Sequence, residues 1–297
     1  MGTTLGLIGY GEVGGIFGRG LHAKDGVDAV WVWDKRFTDP ATGAAARAAA
    51  EGDGMRVASG MQELCSHAAL LVSAVTASNT LAVAEEAARH ARSGSRFLDL
   101  NSASPGTKQR AAAALEAVGT AYVEAGVMTS VPPYGIRVPM LLGGAQAEAL
   151  AATLAGWGME VRVVSEQLGV ASAIKMSRSI MIKGLEALVI ESYTTARRYG
   201  VEAHVLPTLK ETFPQIDWDK QGAYFFSRVV QHGKRRAEEM REAAQTVREA
   251  GFEPLMAAAI ASKQDWVASQ AHEGVFDGLD GGSDWQAYAD RLIGRDS

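Results

Sequence analysis

With 297 residues, 47% of them hydrophobic and 21% charged, this chain has the make-up of a globular protein with enough material for two cores. A formal net charge of −5 gives no basic field, so nucleic acid is not an expected partner. One cysteine, Cys65, excludes an internal disulfide framework, and no window approaches the ~20 apolar residues of a membrane span, so a cytoplasmic protein without membrane attachment is expected.

The opening Met1-Gly2-Thr3-Thr4 lacks the basic start of a signal peptide. Thr3 to Ile8 is a short apolar run that reads as a buried strand, and it leads into Gly9-Tyr10-Gly11-Glu12-Val13-Gly14. A G-x-G-x-x-G is weak evidence alone, but here a strand precedes it, helical spacing follows from Val13 to His22, and an acid, Asp34, lies twenty residues beyond Gly14. In a dinucleotide-binding turn Gly9 allows the tight bend, Gly11 lets the backbone approach a pyrophosphate and Gly14 lets helix pack on strand. The amides of Tyr10, Glu12 and Val13 then belong to a helix N-terminus that favours phosphate.

Ala29 to Trp33 is a second strand, ending at Asp34-Lys35-Arg36. An acid here takes the hydroxyls of an adenosine ribose and favours NAD. The cations Lys35 and Arg36 beside it are able to hold the 2′-phosphate of NADP, or they are solvated surface charges. The balance leans to NAD, with NADP kept open. Helix-prone Pro40–Ala50, a short strand near Met55–Ala58 and helical turns at Met61–His67 follow. Leu70–Val75 is the next strand, and its end at Val75-Thr76 lies where parallel strands place ligands. Asn79 is placed to cap the following helix. Arg96–Leu100 is a further strand, Ser104 and Pro105 mark the start of helix 105–117, and strands at Tyr122–Ala125 and Met140–Leu142 flank a proline-rich loop. Helix 146–157 and strand Val161–Val164 complete an alternation that predicts parallel βαβ units in a doubly wound sheet.

After Ser165 the alternation stops. Val170 to about Arg198 reads as one long helix, followed by helices at 203–211, 222–232, 234–250, 254–270 and 285–293. The expected organisation is α/β: a Rossmann domain over 1–165, then an all-α domain over 166–297 for substrate binding and dimerisation. The six histidines show no metal-ligand spacing, so no metal is expected. Lys175 lies early on the long helix among Ala171, Ala173, Ile174 and Met176, with Arg178, Ser179 and Ile182 on its face. Partial desolvation there would lower its pKa and suit it to proton transfer. A lysine that snorkels to the surface is the alternative.

Four segments recur in the order found in the β-hydroxyacid dehydrogenases: Gly9–Gly14, Asp99-Leu100-Asn101-Ser102, Glu124-Ala125-Gly126-Val127 and Gly169-x5-Lys175. The chain resembles that superfamily, which includes 6-phosphogluconate and 3-hydroxyisobutyrate dehydrogenases, over nearly its whole length. Lys175-Met176-Ser177-Arg178-Ser179 with Lys183-Gly184-Leu185-Glu186-Ala187 is similar to a subgroup that has its own C-terminal domain. The resemblance implies hydride transfer between a nicotinamide and a hydroxy-acid-like substrate, with Lys175 as general acid/base. It assigns Gly9, Gly11, Gly14 and Asp34 to the dinucleotide, and Val75, Thr76 and Asn101 to the nicotinamide side. Two positions depart from the superfamily pattern. Met128-Thr129-Ser130 stands where Ser-Gly-Gly usually holds the substrate carboxylate, and Ser179 stands for the usual Asn. The implied substrate is therefore more apolar than a plain small hydroxy acid. The superfamily's further lysine near 238 is Glu here, which leaves His232 or Arg236 as an anion contact, or simply a basic helix end. A homodimer is expected around the long helix. Reduction of a C=N bond on the same plan and a dinucleotide sensor without turnover are the rival readings.

Overall fold

The computed structural model describes residues 2–294. The chain packs as two compact units, Met1–Met176 and Ser177–Ser297, and the division falls inside the long helix.

The first unit is built on a sheet of eight strands: β1 (Thr3–Ile8), β2 (Val27–Trp33), β3 (Arg56–Val57), β4 (Leu70–Ser73), β5 (Arg96–Asp99), β6 (Ala121–Val127), β7 (Met140–Gly143) and β8 (Val161–Ser165). Their order across the sheet is β3-β2-β1-β4-β5-β6-β7-β8, so the chain reverses direction of travel between β1 and β4. Helices α1 (Glu12–His22), α2 (Gly43–Gly52), α3 (Met61–His67), α4 (Thr80–Ala88), α5 (Pro105–Glu116) and α6 (Ala147–Gly156) connect the strands. The central strands are largely apolar because both faces are covered, as expected where crossover helices lie on both sides, with Asp99 and Glu124 as buried acids among them. Leu5, Leu7, Val30, Val32, Leu98 and Val123 pack into one layer. Their chain neighbours Ile8, Phe97 and Tyr122 belong to the other.

The sheet departs from the expected parallel arrangement at β7, which runs antiparallel to β6. The connection between them holds only a 3-10 turn, Gly135–Arg137, and a strand returning without a crossover helix has to pair antiparallel. Asn79 stands at the N-cap of α4 but makes no side-chain cap; its amide donates instead to Thr76 Oγ1 at 2.7 Å. Cys65 is buried on α3, where desolvation pushes its thiol up to about 11 and removes it from thiolate chemistry near neutral pH.

Helix α7 runs from Val170 to Tyr199, 30 residues and about 45 Å. The second unit continues with α8 (Glu202–Thr212), α9 (Trp218–Glu249), α10 (Leu255–His272) and α11 (Trp285–Ile293). Its core gathers Ile190, Tyr193, Trp218, Phe226, Val229, Trp285 and Tyr288, while Tyr224 is left exposed. The two helices expected at 222–232 and 234–250 are one continuous helix, α9, of 32 residues. Gly233, the apparent break, is a packing residue: a Cβ there would lie 2.8 Å from the Gln264 carbonyl oxygen of α10. Its missing side chain lets two helices approach closely and does not end either of them.

Candidate functional site

At the carboxyl end of β1 the chain bends through Gly9, whose φ of +91° puts it in the left-handed region that glycine alone adopts freely. A Cβ on Gly14 would fall 2.0 Å from the Gly9 carbonyl oxygen, so α1 can start this close to the strand only without a side chain there. Gly11 differs: a Cβ on it would meet nothing within 4 Å. Gly11 is also the N-cap of α1 and offers no side-chain cap, so the amides of Glu12, Val13 and Gly14 start a helix whose first donors have no intrahelical partner. Bare backbone facing open space at a helix N-terminus fits the pyrophosphate of a dinucleotide. Exposed Glu12 and half-buried Val13 contribute backbone here, and Val13 packs its side chain on the core.

Asp34, at the end of β2, is already engaged. One carboxylate oxygen accepts the Tyr10 amide at 2.7 Å and the Arg36 guanidinium at 3.2 Å; the other accepts the Arg36 amide at 2.8 Å and its Nε at 3.1 Å. Burial alone would raise the Asp34 pKa, but the Arg36 side chain, the Arg36 amide and the Tyr10 amide together hold it below the usual carboxylate range. The Arg36 side chain is 52% exposed and also donates to the Tyr10 carbonyl at 2.6 Å. Lys35 is exposed beside it on a 3-10 turn, Lys35–Thr38. Tyr10 is fixed at its other end as well, its hydroxyl donating to Asp53 at 2.8 Å.

The ends of β4 and β5 are tied by Asn101, which accepts the Val75 amide at 2.7 Å and donates to Ser73 Oγ at 2.9 Å. Asn101 is itself set by Asp99, which accepts its amide at 2.8 Å. Asp99 is fully buried, paired with equally buried Lys108 at 2.9 Å and accepting the Tyr122 hydroxyl at 2.6 Å. Thr76 lies exposed at the same edge. Next in chain is Ser102, whose Oγ accepts from Lys175 Nζ at 2.5 Å. Lys175 is half-buried, one and a half turns into α7. The Val75–Asn101 pair, and Lys175 through Ser102, thus lie at the carboxyl edge of the sheet next to the strand that ends in the glycine turn. Ser102 lies within the Asp99–Ser102 motif but has no role legible from the sequence, because a hydroxyl beside Asn101 carries no signal of its own until Lys175 is found against it.

Met128, half-buried, leaves β6 with its amide donating to the Pro139 carbonyl at 3.0 Å, followed by exposed Thr129 and half-buried Ser130. In the second unit Ser179 is buried and accepts from Lys183 Nζ at 3.3 Å; Lys183 also pairs with Glu239 at 2.8 Å. His232 is half-buried in the middle of α9 and does not open a helix. Arg236, the alternative anion contact, is buried and clamps Glu186 through Nε at 3.0 Å and through its Nη2. Gln264 adds a bond to the same carboxylate at 3.3 Å. Arg236 therefore spends its charge inside the helical core.

Comparison with known proteins agrees with this architecture. Residues 4–154 match the family described as the NAD binding domain of 6-phosphogluconate dehydrogenase, and residues 196–267 match a domain of unknown function (DUF1932). The chain belongs to the β-hydroxyacid dehydrogenase superfamily. A conserved hypothetical protein from Sinorhizobium meliloti is 37% identical, with a TM-score of 0.77 over 99% of this chain and 97% of that one. A conserved protein of unknown function described as structurally similar to 3-hydroxyacid dehydrogenases is 29% identical, with a TM-score of 0.68 over 91% of this chain and 99% of that one. The 3-hydroxyisobutyrate dehydrogenase of Mycobacterium tuberculosis, solved with L-serine, shares the fold at 17% identity and a TM-score of 0.68, over 98% of this chain and 99% of that one. A superfamily chain of this kind binds a nicotinamide dinucleotide, and the glycine turn fits one.

Because the space beside Gly11 is open, Gly11→Val is expected to leave the fold intact and to fill space that a pyrophosphate bound at this turn would need. The expected result is a loss of nicotinamide-dinucleotide affinity of more than about tenfold with an unchanged melting temperature, read by fluorescence titration and thermal unfolding.

Proposed function

We propose that this protein is an NADP(H)-dependent oxidoreductase that interconverts a hydroxy acid, one with a larger apolar substituent than the smallest members of that class, and its carbonyl form. The observation that carries this reading is the Lys175 Nζ–Ser102 Oγ contact of 2.5 Å, made at the same sheet edge as the glycine turn. The bound nicotinamide supplies the hydride acceptor or donor. Lys175 takes the proton of the substrate hydroxyl in oxidation and returns it in reduction, and Ser102 holds its Nζ in place between turnovers. Gly9, Gly11 and Gly14, with the amides of Glu12 and Val13, hold the pyrophosphate, while Val75, Thr76 and Asn101 line the nicotinamide side. Thr129, Ser130, Ser179 and His232 are assigned to the substrate, with Met128 as the apolar contact that disfavours the smallest hydroxy acids.

An acid at the end of β2 by itself speaks for NAD, yet Asp34 has four donors on its two oxygens and little acceptor capacity left for a ribose diol. The half-exposed Arg36 guanidinium with Lys35 beside it supports recognition of a 2′-phosphate instead. A homodimer is part of the same proposal. Met181 and Leu188, two turns apart on α7, are 66% and 54% exposed, and such side chains in a row favour a second copy of the chain.

Three measurements test these readings. Screening hydroxy acids, aldehydes and cyclic imines with wild type and Lys175→Met is expected to find hydroxy-acid turnover that falls at least about a hundredfold in the variant; full activity in the variant, or turnover of imines alone, refutes the lysine-assisted C–O reading. NADPH is expected to bind more tightly than NADH, and Arg36→Ala to weaken NADPH by about tenfold or more while leaving NADH within about threefold; a wild-type preference for NADH overturns the assignment. Sedimentation at micromolar concentration is expected to give twice the chain mass, and a monomer there ends the dimer proposal.

A further inference from the structure

We infer that Glu124 is a positioning residue for Lys175: its buried carboxylate fixes the start of α7 on the sheet and so sets where the lysine is presented. This rests on the reading of Lys175 as the proton carrier, and adds a residue to which that reading gives no role.

Glu124 is fully buried on β6. Its Oε1 accepts the amides of Gly169 at 2.7 Å and Ala171 at 3.1 Å, and its Oε2 accepts the amide of Ser172 at 3.3 Å. These three donors stand at the N-terminus of α7, where the first turn has no intrahelical acceptors. Gly169, just ahead of the helix, has no side chain to cap it, so the acceptor comes from a strand far away in sequence. A carboxylate withdrawn from water requires such compensation, and the positive end of a helix supplies both donors and favourable charge. Room for it comes from Gly143, the antiparallel partner of Glu124 on β7, where a Cβ would lie 2.7 Å from Oε1.

The geometric consequence lies one turn further on. Lys175 follows Ala171 by four residues, about 6 Å along the helix axis, so a shift or tilt at the capped amides moves its Nζ directly. Ser102, its partner, is held from the same strand by a separate route. Tyr122 lies two residues before Glu124, donates to Asp99, and Asp99 accepts the amide of Asn101 beside Ser102. Alternate residues of β6 thus support the two halves of the Lys175–Ser102 contact, Tyr122 the serine and Glu124 the lysine.

The test uses the full chain and needs no identified substrate. Glu124→Gln keeps the shape but puts an amide donor where Ser172 N–H or its neighbours need an acceptor. Trace acetylation with acetic anhydride at fixed pH, read by mass spectrometry, compares the rate at Lys175 with that at exposed Lys234. The expected result is an increase of about threefold or more in the relative rate at Lys175, with hydrogen exchange of the Gly169, Ala171 and Ser172 amides faster by about tenfold and NADPH affinity retained. A lowered melting temperature with Lys175 acetylated as in wild type means that Glu124 only stabilises the fold, and overturns the inference. Should Glu124→Gln fail to fold, Gly143→Ala keeps the carboxylate but displaces Oε1, and the same change or constancy at Lys175 decides. If Lys175→Met retains turnover while Glu124→Gln still alters Lys175 reactivity, the proton-carrier reading fails and the positioning of the lysine stands.

Discussion

A carboxylate withdrawn from water has to find donors, and in the first unit of this protein two such groups find theirs in ways that shape one edge of the sheet. Asp99 and Glu124 are both fully buried and are register partners on β5 and β6. Asp99 collects Lys108, the Tyr122 hydroxyl and the Asn101 amide. Glu124 collects the first amides of a 30-residue helix. Leaving either group without its partners would cost several kcal/mol, so the loop after β5 and the start of α7 have little freedom to drift. Strand β6 connects the two, since Tyr122 and Glu124 are alternate residues on it.

Much of this was legible in the chain. The glycine turn is readable because each glycine has a distinct steric task, and the backbone has a left-handed bend at Gly9, open space at Gly11 and close approach to the Gly9 carbonyl at Gly14. The long helix announced itself through the absence of breakers between Val170 and Arg198. Other features depend on partners distant in sequence, and local pattern is silent on those. Nothing in the local pattern around Asp34 shows that Arg36 folds back upon it. Gly233 looks like a helix end until α10 is found against it. β7 follows a loop without a helix, so its direction was open to inference from connection length but hidden by the regular alternation before it.

The contrast between the two units is one of how charge is used. In the first, Lys108 and Asp99 support loops at the sheet edge, and Arg36 and Lys35 are exposed after β2. In the second, Arg236 with Glu186 and Lys183 with Glu239 cross-link helices from inside, where a hydrophobic exchange of similar volume would serve stability as well. The basic run around Lys234, Arg235 and Arg236 is therefore divided: two members face outward, and the third belongs to the core.

The pairing of Glu124 with Gly143 has a bearing on how such a chain can change over time. The acid on one strand occupies the volume that a side chain on the neighbouring strand would fill. Enlarging position 143 first displaces the acid, and shortening position 124 first strands three amides and opens a void. Each single step strains or uncaps the start of the long helix, so the geometry ties the two positions together, and a chain without this pair has to cap that helix by some other means.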